Sequence, residues 1–354
     1  MLIFKKIKKF FNPVVYFKLS NAKSWLDKVR SKINEIKIKS QNLAKTNYDL
    51  GLYHFNAGNL SDAIFRFKLL KKFGISYPDL DYLLGRCYFE KFKFEKAKPY
   101  LKHYMERDNK SKFKEGAEYC LNIINNKNDQ IQFVPLEIID HKINQEFRFH
   151  LSEFRKCVNS SENSTYEELK KILNDTEKVF NFNVLDLGCN TGLLTYLLRK
   201  NQLLNFALGV DLNDKAVKHC ENLSIGKDKV YNTVIKKDIS SFLASSSKTD
   251  SKFDIILGLD LISYSVKIES FLSTLQPYIT DQGIFLLNYY FDDTQKDNYV
   301  LNNKSEQFIY NKSFVNNIIK KCGWNIVKEE VMEVKKEKYS LITLILKINH
   351  APNS

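Results

Sequence analysis

Glycine is scarce in this sequence, with 12 among 354 residues, and methionine (3), tryptophan (2) and proline (6) are scarcer still. So little glycine and proline excludes collagen-like and low-complexity linker sequences, and it makes each glycine in a turn informative. Six cysteines (Cys87, Cys120, Cys157, Cys189, Cys220 and Cys322) stand far apart, with no CxxC pair and no histidine at zinc-finger spacing. Free thiols in a reducing cytosol are expected, with neither a disulfide scaffold nor a metal site. No window approaches the run of about 18 apolar residues that a membrane-spanning helix needs. The opening stretch MLIFKKIKKFFNP is basic but lacks the roughly 7–15-residue apolar run of a secretion signal, so a cytoplasmic place is expected. What remains is ordinary globular composition, 44% hydrophobic and 27% charged, at a length that predicts two domains.

The net charge of +14 is uneven. Residues 1–45 hold 12 basic and 2 acidic residues, residues 46–126 hold 14 and 10, and residues 127–354 hold 29 of each. A neutral second half gives no footprint for nucleic acid. Wound as a helix, Ile3, Phe4, Ile7, Phe10 and Phe11 share one arc and Lys5, Lys6, Lys8 and Lys9 the opposite one, until Pro13 breaks the pattern. A basic amphipathic arm at residues 1–13 is expected either to touch an anionic membrane surface weakly or to pack on the next domain. From Ser24, the residues Leu26, Val29, Ile33, Ile36 and Leu43 recur at steps of three, four and seven. They predict a helix with one apolar seam packed against the next segment of the chain. These N-terminal helices are assigned to residues 1–43.

Residues 44–110 repeat at a period of 34, within a helical region assigned to residues 44–126. Leu50-Gly51 returns as Leu84-Gly85, Ala63 as Ala97, Phe67 as Leu101 and Leu70 as Tyr104. Each unit reads as two short helices, with Gly51, Gly85, Ala63 and Ala97 as the small residues that let paired helices approach. The spacing resembles the tetratricopeptide repeat. Two copies bury little core, so the helix at 24–43 and another near 112–125 are expected to cap them. Such a resemblance implies a surface for a partner protein, or an array that only packs on the second domain.

Residues 127–181 read as a linker and lid helices, with helical patterns at Phe147–Cys157 and Tyr166–Phe180. From residue 182 to 349, seven strand candidates stand in order: Val184–Leu187, Phe206–Val210, Val230–Lys236, Phe253–Gly258, Ile284–Asn288, Trp324–Val331 and Leu341–Ile348. The first five alternate with helical stretches, predicting a parallel α/β sheet; the last two predict an antiparallel edge. Val184-Leu-Asp-Leu-Gly-Cys-Asn-Thr-Gly192 is a strand, a tight turn and a helix start, a place where a ligand can approach backbone and helix N–H groups. The nicotinamide fingerprint GxGxxG does not fit it.

The stretch resembles motif I of the class I S-adenosylmethionine-dependent methyltransferases, commonly DxGxGxG, with Asn190 replacing the middle glycine. Asparagine tolerates a left-handed backbone, so the turn survives the exchange. Later positions keep the family's order: Gly209-Val-Asp211, Lys237-Asp-Ile239, Phe253 to Tyr264 with Asp260 in the loop, Gln282-Gly-Ile-Phe285 and Cys322-Gly-Trp324. Bacterial predicted methyltransferases with N-terminal tetratricopeptide repeats share this order and the DxLxY form at 260–264. Their late segment runs into a helix and here reads Tyr299–Val315, with Glu306-Gln307-Phe308 in place of Gly-Arg-Phe.

The resemblance implies a seven-stranded Rossmann-like methyltransferase sheet behind an all-α tetratricopeptide-like domain, with S-adenosyl-L-methionine as cofactor. It places Asp186, Gly188, Asn190 and Gly192 at the methionine end of the cofactor, Asp211 and Leu212 at the ribose, and Asp238 and Ile239 at the adenine. Asp260 and Tyr264 stand between cofactor and acceptor as candidate catalytic residues, Tyr264 either relaying a proton or packing. Asn288, Tyr289 and Tyr290 end the fifth strand near the acceptor, the tyrosine pair read first as lid packing. His219 is expected at the surface, and His141 and His150 in a lid. The acceptor, protein or small molecule, is left open. The rival reading is a repeat adaptor whose second domain binds cofactor without catalysis.

Overall fold

The computed structural model describes residues 19–107, 112–160, 164–174, 181–245, 252–334 and 337–349. The predicted arm at residues 1–13 and residues 175–180 of the second lid pattern lie outside them. With neither glycine nor proline from Leu19 to Leu50 to interrupt it, α1 runs unbroken over Leu19–Asn56. It therefore crosses the expected boundary at residue 43. Of the seam expected to pack, Leu26, Ile33 and Leu43 face solvent and Val29 is half-buried, and full burial among the described residues begins at Ala44.

Helices α2 (Leu60–Lys72), α3 (Leu80–Glu90), α4 (Phe94–Arg107) and α5 (Lys114–Ile124) complete the helical region. α1 packs on α2 and α3 on α4. A Cβ on Gly51 would strike the Phe67 ring, and one on Gly85 would come within 2.6 Å of the Leu101 side chain, the same contact 34 residues later. α3 is the centre: every residue from Leu80 to Phe89 is buried, Asp81 and Arg86 included. Such burial of charge requires partners. Asp81 is met by Lys71, His103 and Arg107. Arg86 donates to Glu90 and to Glu306, both at 2.9 Å.

After Pro135 the chain forms α6 (Leu136–Ser160) and then α7 (Ser164–Asn174). The second half alternates β1 (Phe182–Leu187), α8 (Leu193–Lys200), β2 (Leu204–Asp211), α9 (Asp214–Asn222), a two-residue hairpin β3–β4 (Ser224–Ile225 and Asp228–Lys229), β5 (Thr233–Lys236), α10 (Ile239–Ser245) and β6 (Phe253–Gly258). It ends with α11 (Ile268–Leu275), β7 (Ile279–Phe291), β8 (Tyr299–Asn302), β9 (Gln307–Tyr310), α12 (Lys312–Lys321), β10 (Trp324–Glu333) and β11 (Ser340–Ile348).

The main sheet runs β10-β11-β7-β6-β1-β2-β5. Its β5, β2, β1, β6 and β7 are parallel, and β11 is antiparallel to both neighbours. The expected seven strands are short by two. β9 pairs with the last residues of β7 beyond the end of β6, and β8 pairs with β9, so the sheet has nine strands. Four-residue strands with every residue of β9 buried carry no period-two pattern, which is why the late segment read only as a run into a helix. The new hairpin is locked over the loop after β6, where the Tyr310 hydroxyl donates to the carbonyls of Ile262 and Ser265 at 2.7 and 2.8 Å.

Candidate active site

The parallel strands end along one edge of the sheet, beneath a cavity of about 1370 Å³. Its floor is the Gly188–Thr191 turn after β1 with Asp211 and Leu212 after β2, Asp238 and Ile239 after β5, and Asp260 and Tyr264 after β6. Of the residues predicted to bind the cofactor or act in catalysis, Gly192 alone does not line it. Gly192 begins α8 at φ +70°, and a Cβ there would lie 2.8 Å from the Tyr231 hydroxyl, so it shapes the turn from behind.

Asp186 is held from below: Thr195 Oγ1 and Tyr231 OH donate to its Oδ2 at 2.6 and 2.5 Å. Burial outweighs these bonds and pushes its carboxyl up to about 6. Asn190 takes a left-handed φ of +46°, as the turn requires. Its N–H donates to Asp211 Oδ2 at 2.9 Å, and the Asn213 N–H donates to Oδ1 at 2.8 Å. Burial raises Asp211 as well, against the backbone N–H donors of Asn213, Asn190 and Leu212.

The roof is α6. Asn190 Nδ2 lies 2.8 Å from His150 Nδ1, and Asn213 Nδ2 donates to Asp140 Oδ1 at 2.8 Å. Asn213 also caps α9, accepting from Lys215 and Ala216. His141 and His150 both belong to this helix, as the lid reading expected. His219 does not sit at the surface: it is half-buried, edge-on to Phe147 and Phe154, 3.2 Å from the Thr191 carbonyl. Desolvation lowers its pKa, so it packs as the neutral ring.

At the acceptor side, Asp260 takes φ +60°, and its N–H donates to Asn288 Oδ1. Its Oδ1 is buried with no hydrogen-bond partner among the described residues. Burial raises its pKa, with Lys142 and His150 pulling the other way. Tyr264 carries the Lys142 ammonium 5.5 Å from its ring centroid and Gln307 Nε2 3.4 Å from its hydroxyl. Burial, then Asp260, pushes its phenol well above the usual range, so it stays protonated near neutral pH. Tyr290 lines the cavity, whereas Tyr289 is fully buried against Tyr310. Arg86 and Glu90 of α3 and Glu306 and Gln307 of the β8–β9 hairpin complete the wall.

Sequence reasoning missed Asn213, Tyr231, Thr195, Asp140 and Lys142. Only Asn213 had a local signal, an N-cap asparagine ahead of Asp-Lys-Ala-Val. Among the described residues no group of three or more His, Cys, Asp or Glu could hold a metal ion.

Residues 179–344 match the family described as a methyltransferase domain, so the chain carries an enzyme domain of that class. No curated protein matches. Solved structures are similar at low identity. A SAM-dependent methyltransferase of Leishmania major is 14% identical over 52% of this chain and 71% of its own, with a TM-score of 0.42. Magnesium protoporphyrin IX methyltransferase of Synechocystis with bound SAM is 15% identical over 54% and 83%, at 0.38. A putative S-adenosylmethionine-dependent methyltransferase of Listeria monocytogenes is 13% identical over 52% and 98%, also at 0.38. At such scores these likenesses carry no argument about substrate.

Proposed function

We propose that this chain is an S-adenosylmethionine-dependent methyltransferase whose acceptor enters between the sheet edge, the α6 lid and helix α3. The observation that carries the reading is Asp211: two backbone N–H groups pin its carboxylate beside the Gly188–Thr191 turn. A carboxylate fixed in that position suits the hydroxyls of a nucleoside ribose, and the buried, unpartnered Asn190 Oδ1 suits a ligand donor. The residues fit the cofactor. S-adenosylmethionine supplies, when bound, a methyl group already activated on a sulfonium.

The chain's own part is alignment and a dry site, and positioning of that kind can lower a barrier by roughly 7–11 kcal/mol. Asp186 holds the turn from below through its bonds from Thr195 and Tyr231. Asp260 Oδ1 is the open proton acceptor on the acceptor's side. Tyr264, kept protonated, donates a hydrogen bond and does not act as base. The helical region is tetratricopeptide-like in this reading, supported by the equivalent Gly51–Phe67 and Gly85–Leu101 contacts, and it would present a protein acceptor or partner to the cavity. Residues 1–13 would add weak contact with an anionic membrane surface.

Calorimetry tests the core of the proposal: wild type binds S-adenosylmethionine and Asp211→Ala does not. Unchanged binding by that variant would remove the ribose role, and no binding by wild type would remove the cofactor. An adaptor without catalysis would bind cofactor yet form no S-adenosylhomocysteine with any lysate fraction supplied with labelled methyl donor.

A further inference from the structure

Asn190 stands where the motif has its middle glycine, so this chain lines the cavity with a carboxamide at a point where the motif has no side chain. One end of that amide is held from the roof: Nδ2 lies 2.8 Å from Nδ1 of His150 on α6. The amide nitrogen has only hydrogens to offer, so Nδ1 accepts and the ring carries its proton on Nε2. Glu146, one turn earlier on α6, has Oε2 3.9 Å from that Nε2 and favours the proton there. The other end of the amide, Oδ1, is buried with no hydrogen-bond partner among the described residues. A buried amide oxygen without a donor carries a cost that a ligand donor removes.

On the S-adenosylmethionine reading of the site, on which this inference rests, the sheet order names the donor. The strands run β5, β2, β1, β6, and Asp238, Asp211, the Gly188–Thr191 turn and Asp260 follow them in that order along the cavity. With the ribose at Asp211 and the reacting methyl turned toward Asp260, the adenine falls over β5 and the amino-acid end over the β1 turn. The α-ammonium is the one N–H donor at that end, and a carboxamide oxygen is a suitable acceptor for it. We propose that His150 is a positioning residue that holds the Asn190 carboxamide with Oδ1 toward the ammonium of bound S-adenosylmethionine. Turned over, the amide would set Nδ2 against the ammonium, donor against donor. The lone pair on His150 Nδ1 selects the attractive orientation. The α6 lid thereby helps to hold the cofactor, through a contact that glycine at position 190 could not make.

Calorimetry on the full chain is the test. His150→Phe keeps a ring on the lid but no acceptor, and should weaken S-adenosylmethionine binding about tenfold or more. His150→Asn, whose Oδ1 stands near the Nδ1 position, should restore most of that affinity. In an Asn190→Gly background His150→Phe should change affinity by less than about twofold, because the coupling is gone. Decarboxylated S-adenosylmethionine keeps the amine and should weaken in His150→Phe as the full cofactor does. 5′-Methylthioadenosine lacks the amino-acid end and should bind wild type and His150→Phe alike. Equal binding of S-adenosylmethionine by wild type and His150→Phe overturns the proposal and leaves the cofactor reading standing. So does a loss that persists in Asn190→Gly, or one shared by 5′-methylthioadenosine, since either makes the role of His150 structural. A loss for the full cofactor alone, with the decarboxylated analogue unaffected, turns the amide toward the carboxylate and overturns it as well. No binding of S-adenosylmethionine by wild type removes the cofactor reading and the proposal together.

Discussion

Burial moves three carboxyl groups at the cavity the same way: Asp186, Asp211 and Asp260 are all raised. For Asp186, at about 6 against an ordinary 3.8, the folded state binds a proton that the unfolded chain has released across that interval. Folding stability linked to this group is therefore present below the unfolded pKa and is lost as pH rises through about 6, by up to roughly 3 kcal/mol. Urea midpoints should rise from pH 7 to pH 5 in wild type, and the rise should shrink in Asp186→Asn. Asp260 gives a kinetic counterpart. Acting as base, it makes kcat rise with pH through its raised pKa. Asp260→Asn should flatten that limb and lower kcat by about 10²-fold or more with cofactor affinity unchanged. Each of these acids stands in a short motif next to the strand that carries it, which is why it was legible from the sequence. Tyr231 and Thr195, which fix Asp186 in place, were not: they act from 45 and 9 residues away through contacts that have no sequence period.

At the scale of elements, packing between neighbouring helices turned a sequence repeat into geometry. Gly85 lies on α3 under the Leu101 side chain of α4, with no room for a Cβ. Gly85→Val should destabilise the chain by about 1–3 kcal/mol through overpacking. Leu101→Ala in the same chain should recover part of the loss, a coupling that a double-mutant cycle in urea would read. The repeat was visible because identical contacts select identical small residues at a fixed spacing. The β8–β9 hairpin was invisible because four-residue strands carry no alternation; they are held by pairing to β7 and by Tyr310 beneath the β6 loop. α1 erred in the other direction. Its periodicity predicted a helix correctly, but a periodic apolar stripe does not say whether its partner lies in the same chain.

Across the whole molecule, one buried cation joins the halves. Arg86, 1% exposed, reaches Glu90 on the next turn of α3 and Glu306 in the hairpin turn, 220 residues away. Burial disfavours its charge, but Glu306 and then Glu90 outweigh it, so Arg86 stays firmly charged. Arg86→Ala leaves two carboxylates without their cation beside the cavity wall and should cost about 3 kcal/mol or more. Arg86→Met with Glu306→Gln should recover much of that stability, because the stranded charge at the hairpin is gone. If the helical region shapes the acceptor end of the cavity, the double variant also raises KM for the acceptor with cofactor affinity unchanged.

Composition, period and motif spacing determined by themselves that a helical, repetitive half precedes a parallel α/β half, and which acidic residues end its strands. Those properties come from local backbone preference and from contacts between neighbours in the chain. Only the tertiary structure decided that α6 roofs the cavity through His150 and Asp140, that two extra strands build its wall, and that Arg86 ties that wall to the helices. These depend on groups brought together from far apart by burial, and a charge or an unpaired carbonyl in the interior finds whichever partner the fold supplies. The basic excess belongs to both accounts: its place along the chain was readable, but the solvent exposure of the helix that carries much of it required the fold.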